Sequence, residues 1–199
     1  MAKSGTGQPA GLRERKKART RAAIQSEALR LFREQGYRET SIEQIAEAAE
    51  VSPSTVFHYF PTKPDLVLYD ALDEPLLEAF RAAPRNLSAI GAFRAVLAQT
   101  FGDLQGAEAA AQLERERLLR SVPELRQAAV DMLAGMFGQI AALAAERTGR
   151  PVDDDQVVAA SGAIVGVGLA AWLASGGDIG LMLRRMDAGL AALEQGFRF

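Results

Sequence analysis

The chain has 199 residues, 48% of them hydrophobic, so it is long enough to bury one sizeable core or two smaller ones. It contains no cysteine, which excludes disulfide bonds and thiolate metal sites. The net charge of −2 is unevenly divided, because residues 1–64 hold 11 Lys and Arg against 7 Asp and Glu, whereas the remainder holds 12 against 18.

A basic arm opens the chain. Polar residues such as Lys3 and Ser4 interrupt the apolar run that a signal peptide needs, so we expect a cytoplasmic protein. Residues 1–12 are expected to be flexible. Seven cations in the first 21 residues are opposed only by Glu14, and they favour either contact with nucleic-acid phosphates or a solvated terminus. These cations are Lys3, Arg13, Arg15, Lys16, Lys17, Arg19 and Arg21.

The first predicted helix runs from about Arg13 to Gln35. Its apolar residues recur at helical spacing, and Gly36 is placed to end it as a C-cap. The residues expected to be buried are Ile24, Ala28, Leu31 and Phe32.

Two short helices around a tight turn follow. Thr40 with Glu43 three residues later predicts a capping box at the start of the first, and Ile42, Ile45 and Ala46 give it an apolar face. Ser52 is the expected N-cap of the second, with Pro53 at its first position and Pro61 beyond its end.

The second short helix has an unusual outer face. Val51, Val56 and Phe60 can face the preceding helix, which leaves hydrogen-bonding and stacking groups for the exposed side and the ends. Those groups are Pro53, Ser54, Thr55, Phe57, His58 and Tyr59. The pattern is typical of a helix that reads the edges of DNA bases.

These residues resemble those of a known family. The run from Val51 to Phe60, with Lys63 after it and with Leu31-Phe32, Gly36-Tyr37 and Thr40-Ser41-Ile42 before it, resembles the N-terminal domain of the TetR-family transcriptional regulators. The match covers roughly residues 13 to 68. It implies a helix-turn-helix DNA-binding domain at residues 13–61 and a helical ligand-binding and dimerisation domain at residues 62–199.

The resemblance also implies roles for individual residues. Ser52, Ser54 and His58 occupy positions that face base edges in the family, and Pro53 one from which a thymine methyl can be touched. Thr40, Thr55, Tyr59 and Lys63 occupy positions that hold phosphates.

The chain departs from the family pattern at two aromatic positions. Phe57 stands where the family usually has Tyr, and Tyr59 where it often has His, so the phenol for a phosphate is expected at Tyr59. His58 is the only histidine, and it can serve as a reading side chain or as a packed ring. Without a second histidine or any cysteine, we expect no metal site and no cofactor.

The rest of the sequence predicts helices separated by breakers, and so an all-α fold. We expect helices from Thr62 to about Ala82, from Ser88 to about Gln105, from about 107 to 121, and from 123 to 148. Arg115, Arg117 and Arg120 lie on one of them and favour either a polar ligand anchor or a solvated face.

The last two predicted helices are apolar. The segment Val157–Gly177 has no charge and contains Gly162 and Gly166, which fits a membrane span but fits better a buried helix capped by Asp153. Asp178 caps the next, whose apolar positions are Met182, Met186, Leu190, Leu193 and Phe197. We expect these helices to form the homodimer, as in the family, with completion of a monomer core as the alternative.

An effector cavity inside the helical bundle is implied by the resemblance, because TetR-type regulators usually bind a small molecule there. Candidate lining residues are Leu72, Phe80, Phe93, Leu97, Phe101, Leu113, Met132, Met136, Phe137 and Trp172. Their character predicts a small and largely apolar effector, although a plain core is the favoured explanation for any single residue.

Taken together, these features predict a ligand-responsive, homodimeric repressor of a palindromic double-stranded operator. Two alternatives stay open: a DNA-binding dimer without an effector, and an all-helical enzyme that acts through carboxylates such as Glu114, Glu116 or Asp131. No residue spacing marks a reaction, and we expect no enzyme and no membrane partner.

Overall fold

The computed structural model describes residues 11–69, 73–102 and 106–196. All regular secondary structure within these ranges is helical, as the sequence predicts. The helices are α1 (Leu12–Gln35), α2 (Ile42–Ala48), α3 (Pro53–Tyr59), α4 (Asp65–Leu68), α5 (Asp73–Ala82), α6 (Ala89–Gly102), α7 (Gly106–Ser121), α8 (Pro123–Thr148), α9 (Asp155–Ser175) and α10 (Ile179–Gln195). The chain divides into two compact units, with the boundary between Leu66 and Val67.

The first unit is built around α2, which packs against both α1 and α3. Gly36 ends α1 with a φ of 99°, in the left-handed region that glycine adopts without strain. The buried position next to Ala28 is Leu29, whereas Leu31, expected in the core, is half-buried. The buried apolar residues of the three helices are Ile24, Ala28, Leu29, Phe32, Ile45, Ala46 and Val56.

The predicted capping box of α2 is wrong by one residue. Ser41 is the N-cap: its hydroxyl accepts from the N–H of Gln44, and the Gln44 side chain accepts from the N–H of Ser41. Thr40 is instead 2% exposed and donates its hydroxyl to the carbonyl of Gly36 over 2.7 Å. Burial beside Gly36 therefore decides which of two adjacent hydroxyls caps the helix.

The connecting segment after α3 is not one helix. The sequence predicts a helix from Thr62 to Ala82, but α4 ends at Leu68 and α5 begins at Asp73. Pro75 supplies a physical reason, since its missing N–H and its ring oppose a helix that continues through it from the preceding turn. Pro is well tolerated in the first turn of α5, where it lies.

The second unit is a bundle of α5 to α10, with α9 packed against both α8 and α10. Ser88 and Asp178 cap α6 and α10 as predicted, by accepting from the N–H groups of Gly91 and Leu181. For α9 the N-cap is Asp154 and not Asp153, because Asp154 accepts from the N–H of Gln156. Apolar side chains of α5, α6, α8, α9 and α10 share one buried core.

Two helices of this bundle, α8 and α9, are long and apolar enough to cross a membrane by length and composition. Their mean hydropathies over the most apolar window are 1.5 and 2.0. Both also contribute residues to the shared core, among them Ile140 on α8 and Ile164 on α9. Packing within the bundle therefore accounts for part of their apolar character, since 28% of the most apolar window of each helix is buried.

Candidate DNA-binding site

The local structure of α3 is set by its two ends. Ser52 accepts the N–H of Thr55 over 3.1 Å, and Pro53 starts the helix, as predicted. The helix ends at Tyr59, before Pro61. Val56 and Phe60 are fully buried against the rest of the first unit, so the opposite face of α3 is directed outward.

That outward face carries most of the predicted reading residues. Ser52, Pro53, Ser54 and His58 are exposed, and Thr55 is half-buried. His58 is therefore not a packed core ring. The structure thus places the predicted base-reading side chains together on one accessible surface.

Three hydroxyl groups meet at the start of α3. The hydroxyl oxygen of Ser52 lies 2.8 Å from those of both Ser54 and Thr55. Since Ser52 also accepts from the backbone, the hydroxyls of this group hold one another in a fixed arrangement. They present donors and acceptors in a defined geometry without needing a ligand to order them.

The other end of α3 is aromatic and lies beside a cation. The rings of His58 and Tyr59 meet edge-on with centroids 5.3 Å apart, and the guanidinium carbon of Arg21, on α1, lies 5.8 Å from the Tyr59 centroid. Phe57 is 48% exposed and has no hydrogen-bonding group. Tyr59 is half-buried, in a position where its ring supports a neighbouring positive charge.

Lys63 lies in the turn after α3 and is held by aromatic rings. Its Nζ is 4.5 Å from the ring centroid of Tyr37 and 5.8 Å from that of Phe32. The turn itself is fixed by Asp65, whose carboxylate accepts from the N–H and the hydroxyl of Thr62 over 2.7 Å each. Sequence reasoning missed Tyr37 as a neighbour of Lys63, although the Gly36-Tyr37 pair was visible in the chain.

Thr40 does not fit the phosphate-contact role predicted for it. Its hydroxyl is buried, donates to Gly36 and accepts from Nε2 of Gln35. At the adjacent start of α2, backbone hydrogen bonding and the Ser41 hydroxyl lower the pKa of Glu43 from its ordinary value. The Glu43 carboxylate of the chain itself therefore already interacts favourably with the amino-terminal end of α2.

The predicted effector-cavity residues do not form one lining in the second unit. Phe93 and Leu97 are in the packed core with Phe80, and Phe101 and Met136 pack against it. Leu113 is 40% exposed, Met132 and Phe137 are half-buried, and Leu72 lies outside the described residues.

An open groove between α6 and α10 contains two of those residues. It has a volume of about 340 Å³ and combines an apolar floor with charged side chains. The residues lining it are Arg94, Leu97, Ala98, Phe101, Leu183, Arg184 and Asp187.

Trp172 belongs to a polar cluster between α7 and α9. Its indole N–H donates to Glu116 over 3.1 Å, and Arg120 donates to the other oxygen of that carboxylate, to the carbonyl of Trp172 and to the hydroxyl of Ser175. Of the three arginines for which the sequence leaves open a ligand anchor or a solvated face, Arg117 is strongly exposed and Arg115 is buried. Arg115 and Arg120 join helices through their hydrogen bonds.

Arg115 binds the end of α4. Its guanidinium donates to the carbonyls of Val67 over 2.7 Å and Leu68 over 3.0 Å, and to the side chain of Gln112 over 2.6 Å. All of these residues belong to the second unit. Because a helix leaves its last carbonyls without intrahelical partners, Arg115 satisfies two groups that would otherwise be costly to bury.

Models of known protein families match sequence in both units of the chain. The family model described as bacterial regulatory proteins, tetR family, matches residues 24–69, and the model described as MftR C-terminal domain matches residues 87–198. The HTH-type transcriptional regulator TcmR of Streptomyces glaucescens is 40% identical over 152 residues, which span 73% of this chain and 67% of TcmR. The HTH-type transcriptional regulator RutR of Escherichia coli is 41% identical over 91 residues, 43% of each chain.

The fold is also found among solved structures. The TetR family transcriptional repressor FadR of Thermus thermophilus, in complex with lauroyl-CoA, superposes with a TM-score of 0.56 at 23% identity. The superposition covers 90% of this chain and 95% of FadR. At this identity the likeness establishes the fold.

Proposed function

Because this chain belongs to the TetR family, whose members are DNA-binding helix-turn-helix transcriptional regulators and not enzymes, we propose that it is a homodimeric repressor that releases a palindromic operator when a small effector binds. The observation that carries the proposal is the outward face of α3, where Ser54 and His58 stand exposed above a buried Val56. We place the protein in the cytoplasm, where DNA is accessible to a soluble regulator.

The contacts with DNA divide into two kinds. Ser52, Ser54 and His58 read base edges in the major groove, and Pro53 contacts a thymine methyl. Thr55, Tyr59 and Lys63 hold phosphates and fix the orientation of α3. The two kinds share one surface, because Thr55 belongs to the hydroxyl cluster of Ser52 and Ser54, and His58 lies beside Tyr59.

The dimer forms through α9 and α10. On α9, Val158 is 42% and Leu173 59% exposed, and Gly162 and Gly166 between them are exposed as well. An apolar face with small residues allows a second helix to approach closely. On α10, Leu190 is fully buried in the chain's own core, so this helix contributes both to the monomer and, through its half-buried Met182, to the interface. Phe197 lies outside the described residues.

The effector binds in the second unit. The groove between α6 and α10 supports a ligand that is largely apolar with an anionic group, since Leu97, Phe101 and Leu183 line it together with Arg94 and Arg184. Arg94 is partly neutralised by Asp187 and Glu194, both at 2.9 Å. Arg184 carries no such ion pair among the salt bridges of the described residues, which leaves it as the better anion partner.

Effector binding acts on DNA through α4. Arg115 attaches α7 to the carboxyl end of α4, and Gln25 of α1 donates its Nε2 to the carbonyl of Leu66 at the boundary of the first unit. α7 is in turn attached to α9 by Glu116 and Arg120. A ligand that prefers one position of α7 will therefore bias α4, whereas one that binds all positions equally will leave DNA affinity unchanged.

Repression is tested with a reporter gene behind DNA taken from upstream of the chain's own gene. The wild-type protein should lower expression, and the Ser54→Ala/His58→Ala variant should restore it while keeping its helical circular dichroism. Unchanged or increased expression with the wild-type protein would contradict repression at this site.

The effector is sought with Trp172, the only tryptophan, which contacts α7. Compounds that release the operator should also change its emission, because the Glu116 contact changes. A compound that releases DNA while leaving the emission untouched would contradict the proposed route through α7.

A further inference from the structure

Helix α1 is longer than the unit that it helps to build. It has 24 residues, and its first buried residue is Ile24. From Leu12 to Ala23 the side chains are exposed, apart from Thr20 and Arg21, which are half-buried. The amino-terminal half of α1 thus projects past the packed core of the first unit.

This projecting half is strongly cationic. Between Leu12 and Ala23 it holds six Lys and Arg against the single acid Glu14. Like charges four residues apart repel one another on a helix surface, so this composition weakens the helix when no anion is near. A polyanionic partner removes that cost.

The cations lie on two different faces of the helix. Arg13, Lys17 and Arg21 follow steps of four residues, and the same stripe continues into the buried Ile24 and Ala28. The stripe therefore points to the side on which α1 packs against the first unit.

On the opposite side of the helix, Arg15 and Arg19 form a second pair four residues apart. This second pair points away from the packed side. Substitution of Arg15 and Arg19 is therefore a control that removes the same charge from the opposite face of α1.

Arg21 is the member of this stripe that lies next to α3. Its guanidinium carbon lies 5.8 Å from the ring centroid of Tyr59, at the carboxyl end of α3. From Arg21 to Arg13 the helix rises about 12 Å. A length of duplex equal to that rise carries roughly seven phosphate charges over its two strands.

We infer that Arg13, Lys17 and Arg21 form a phosphate-binding stripe that extends the DNA contact of each protomer beyond the base pairs read by α3. The inference rests on the proposed function, because it needs α3 in the major groove. Phosphates that flank the half-site then neutralise the stripe, and the contact carries no sequence preference.

The test compares two double variants of equal charge. Arg13→Ala/Lys17→Ala removes two cations of the stripe, and Arg15→Ala/Arg19→Ala removes two from the opposite face. Neither affects a buried residue, and alanine favours helix, so both should keep the circular dichroism of the wild type. Binding is measured by fluorescence anisotropy over a salt series, on an operator duplex with long flanks and on one trimmed close to the half-sites.

The wild-type protein should bind the long duplex more tightly than the short one. The stripe variant should lose this gain, and its salt slope on the long duplex should fall by roughly 1.8 for each protomer bound. The control variant should keep most of the gain. All three proteins should still prefer the operator to a scrambled duplex.

Two results would overturn the stripe. Equal losses in both variants would mean that the charge acts as a diffuse field, and no loss in either would mean that the projecting helix is merely solvated or meets a different acidic partner. Failure of the wild-type protein to prefer the operator on the short duplex would instead contradict the proposed function.

Discussion

Single residues of α3 and the following turn divide the work of DNA binding, and they can be separated by substitution. Lys63→Ala removes a cation but no base contact, so binding to all sequences should weaken together and the salt slope should fall by about one per protomer. Ser54→Ala should instead relax preference at particular base pairs, by about 1–3 kcal/mol. Anisotropy against a panel of singly altered operators measures both effects.

The position of Lys63 supports its assignment to a phosphate contact. Its ammonium group rests over Tyr37, so the side chain is already directed before DNA arrives. Sequence preference that changes with Lys63→Ala, or a salt slope that changes with Ser54→Ala, would show that the contacts have been assigned to the wrong groups.

Ser41 and Thr40 show where reading a sequence fails at the residue scale. Each is followed three residues later by a side chain that can complete a capping box, Glu43 or Gln44, so the pattern alone fits two registers. Only the tertiary structure, which buries Thr40 beside Gly36, selects Ser41. The three consecutive Asp residues at the start of α9, two before the helix and one at its first position, pose the same ambiguity.

Loss of the true cap should be measurable. Ser41→Ala should lower the free energy of unfolding by about 1 kcal/mol, because the N–H of Gln44 loses its acceptor. Urea denaturation followed by circular dichroism provides the value. A Glu43→Ala variant, which leaves the Ser41 cap intact, should lower the free energy of unfolding by less. The reverse order would favour the predicted capping box, in which Glu43 pairs with Thr40.

At the scale of helices, boundaries set by Pro, Gly and caps could be predicted, whereas the break between α4 and α5 was missed. Pro75 is a sequence signal for this break, because a proline opposes a helix that continues through it from the preceding turn. The commitment of Arg115 to the end of α4 could not be foreseen, since the two positions are 48 residues apart. Buried charged contacts between distant elements leave no local pattern.

The packing of α10 on α9 depends on one glycine. A Cβ at Gly189 would lie 2.8 Å from Cγ1 of Val167, a branched side chain with little freedom to move. Gly189→Ala should therefore lower the melting temperature, despite the higher helix propensity of alanine.

Gly168→Ala is the matched control, because its Cβ would meet only the flexible end of Met186 at 3.5 Å. It should be neutral or slightly stabilising in the same thermal scan. If Gly189→Ala were the more stable of the two, the close approach of α9 and α10 would be wrong.

A charged contact between α6 and α10 should make stability depend on pH. The Ser88 hydroxyl and then Arg94 lower the pKa of Glu194 in the folded protein. A lowered carboxyl pKa stabilises the fold above the ordinary glutamate range, and this contribution is lost as pH falls through the folded-state value.

Glu194→Gln removes the titrating group. The variant should be less stable than the wild type by about 0.5–1 kcal/mol near pH 7, and this difference should shrink toward pH 3. Urea unfolding at a series of pH values gives the curve. A difference that stays constant with pH would mean that the contact acts through packing and not through charge.

At the scale of the whole molecule, the all-α fold and the regulator family could be predicted from caps, spacing and the residues of α3. The effector cavity could not, because apolar residues at helical spacing look alike whether they line a space or fill it. Phe93 is in the core and Trp172 is bound to Glu116, while only Leu97 and Phe101 of the predicted set reach the groove.

The proposed dimer can be tested without disturbing the monomer. A Cβ at Gly166 meets no atom within 4 Å in the chain, so Gly166→Glu should leave the fold intact but place a charge on the apolar face of α9. The mass in solution should fall to that of one chain, and operator affinity should fall with it.

Gly135→Glu introduces the same charge on α8, also without a neighbour within 4 Å, and should remain dimeric. Sedimentation velocity of both variants gives the answer. A Gly166→Glu protein that stays dimeric would exclude α9 as the centre of the interface.

Sequence-specific DNA binding is tested most directly by the affinity of the purified protein for DNA from upstream of its own gene, compared with a scrambled duplex of the same composition across a salt series. We expect a nanomolar preference for the native duplex, saturating at an even number of chains per site and lost in Ser54→Ala/His58→Ala. Equal and weak binding to both duplexes would contradict α3 as a reading helix for this operator.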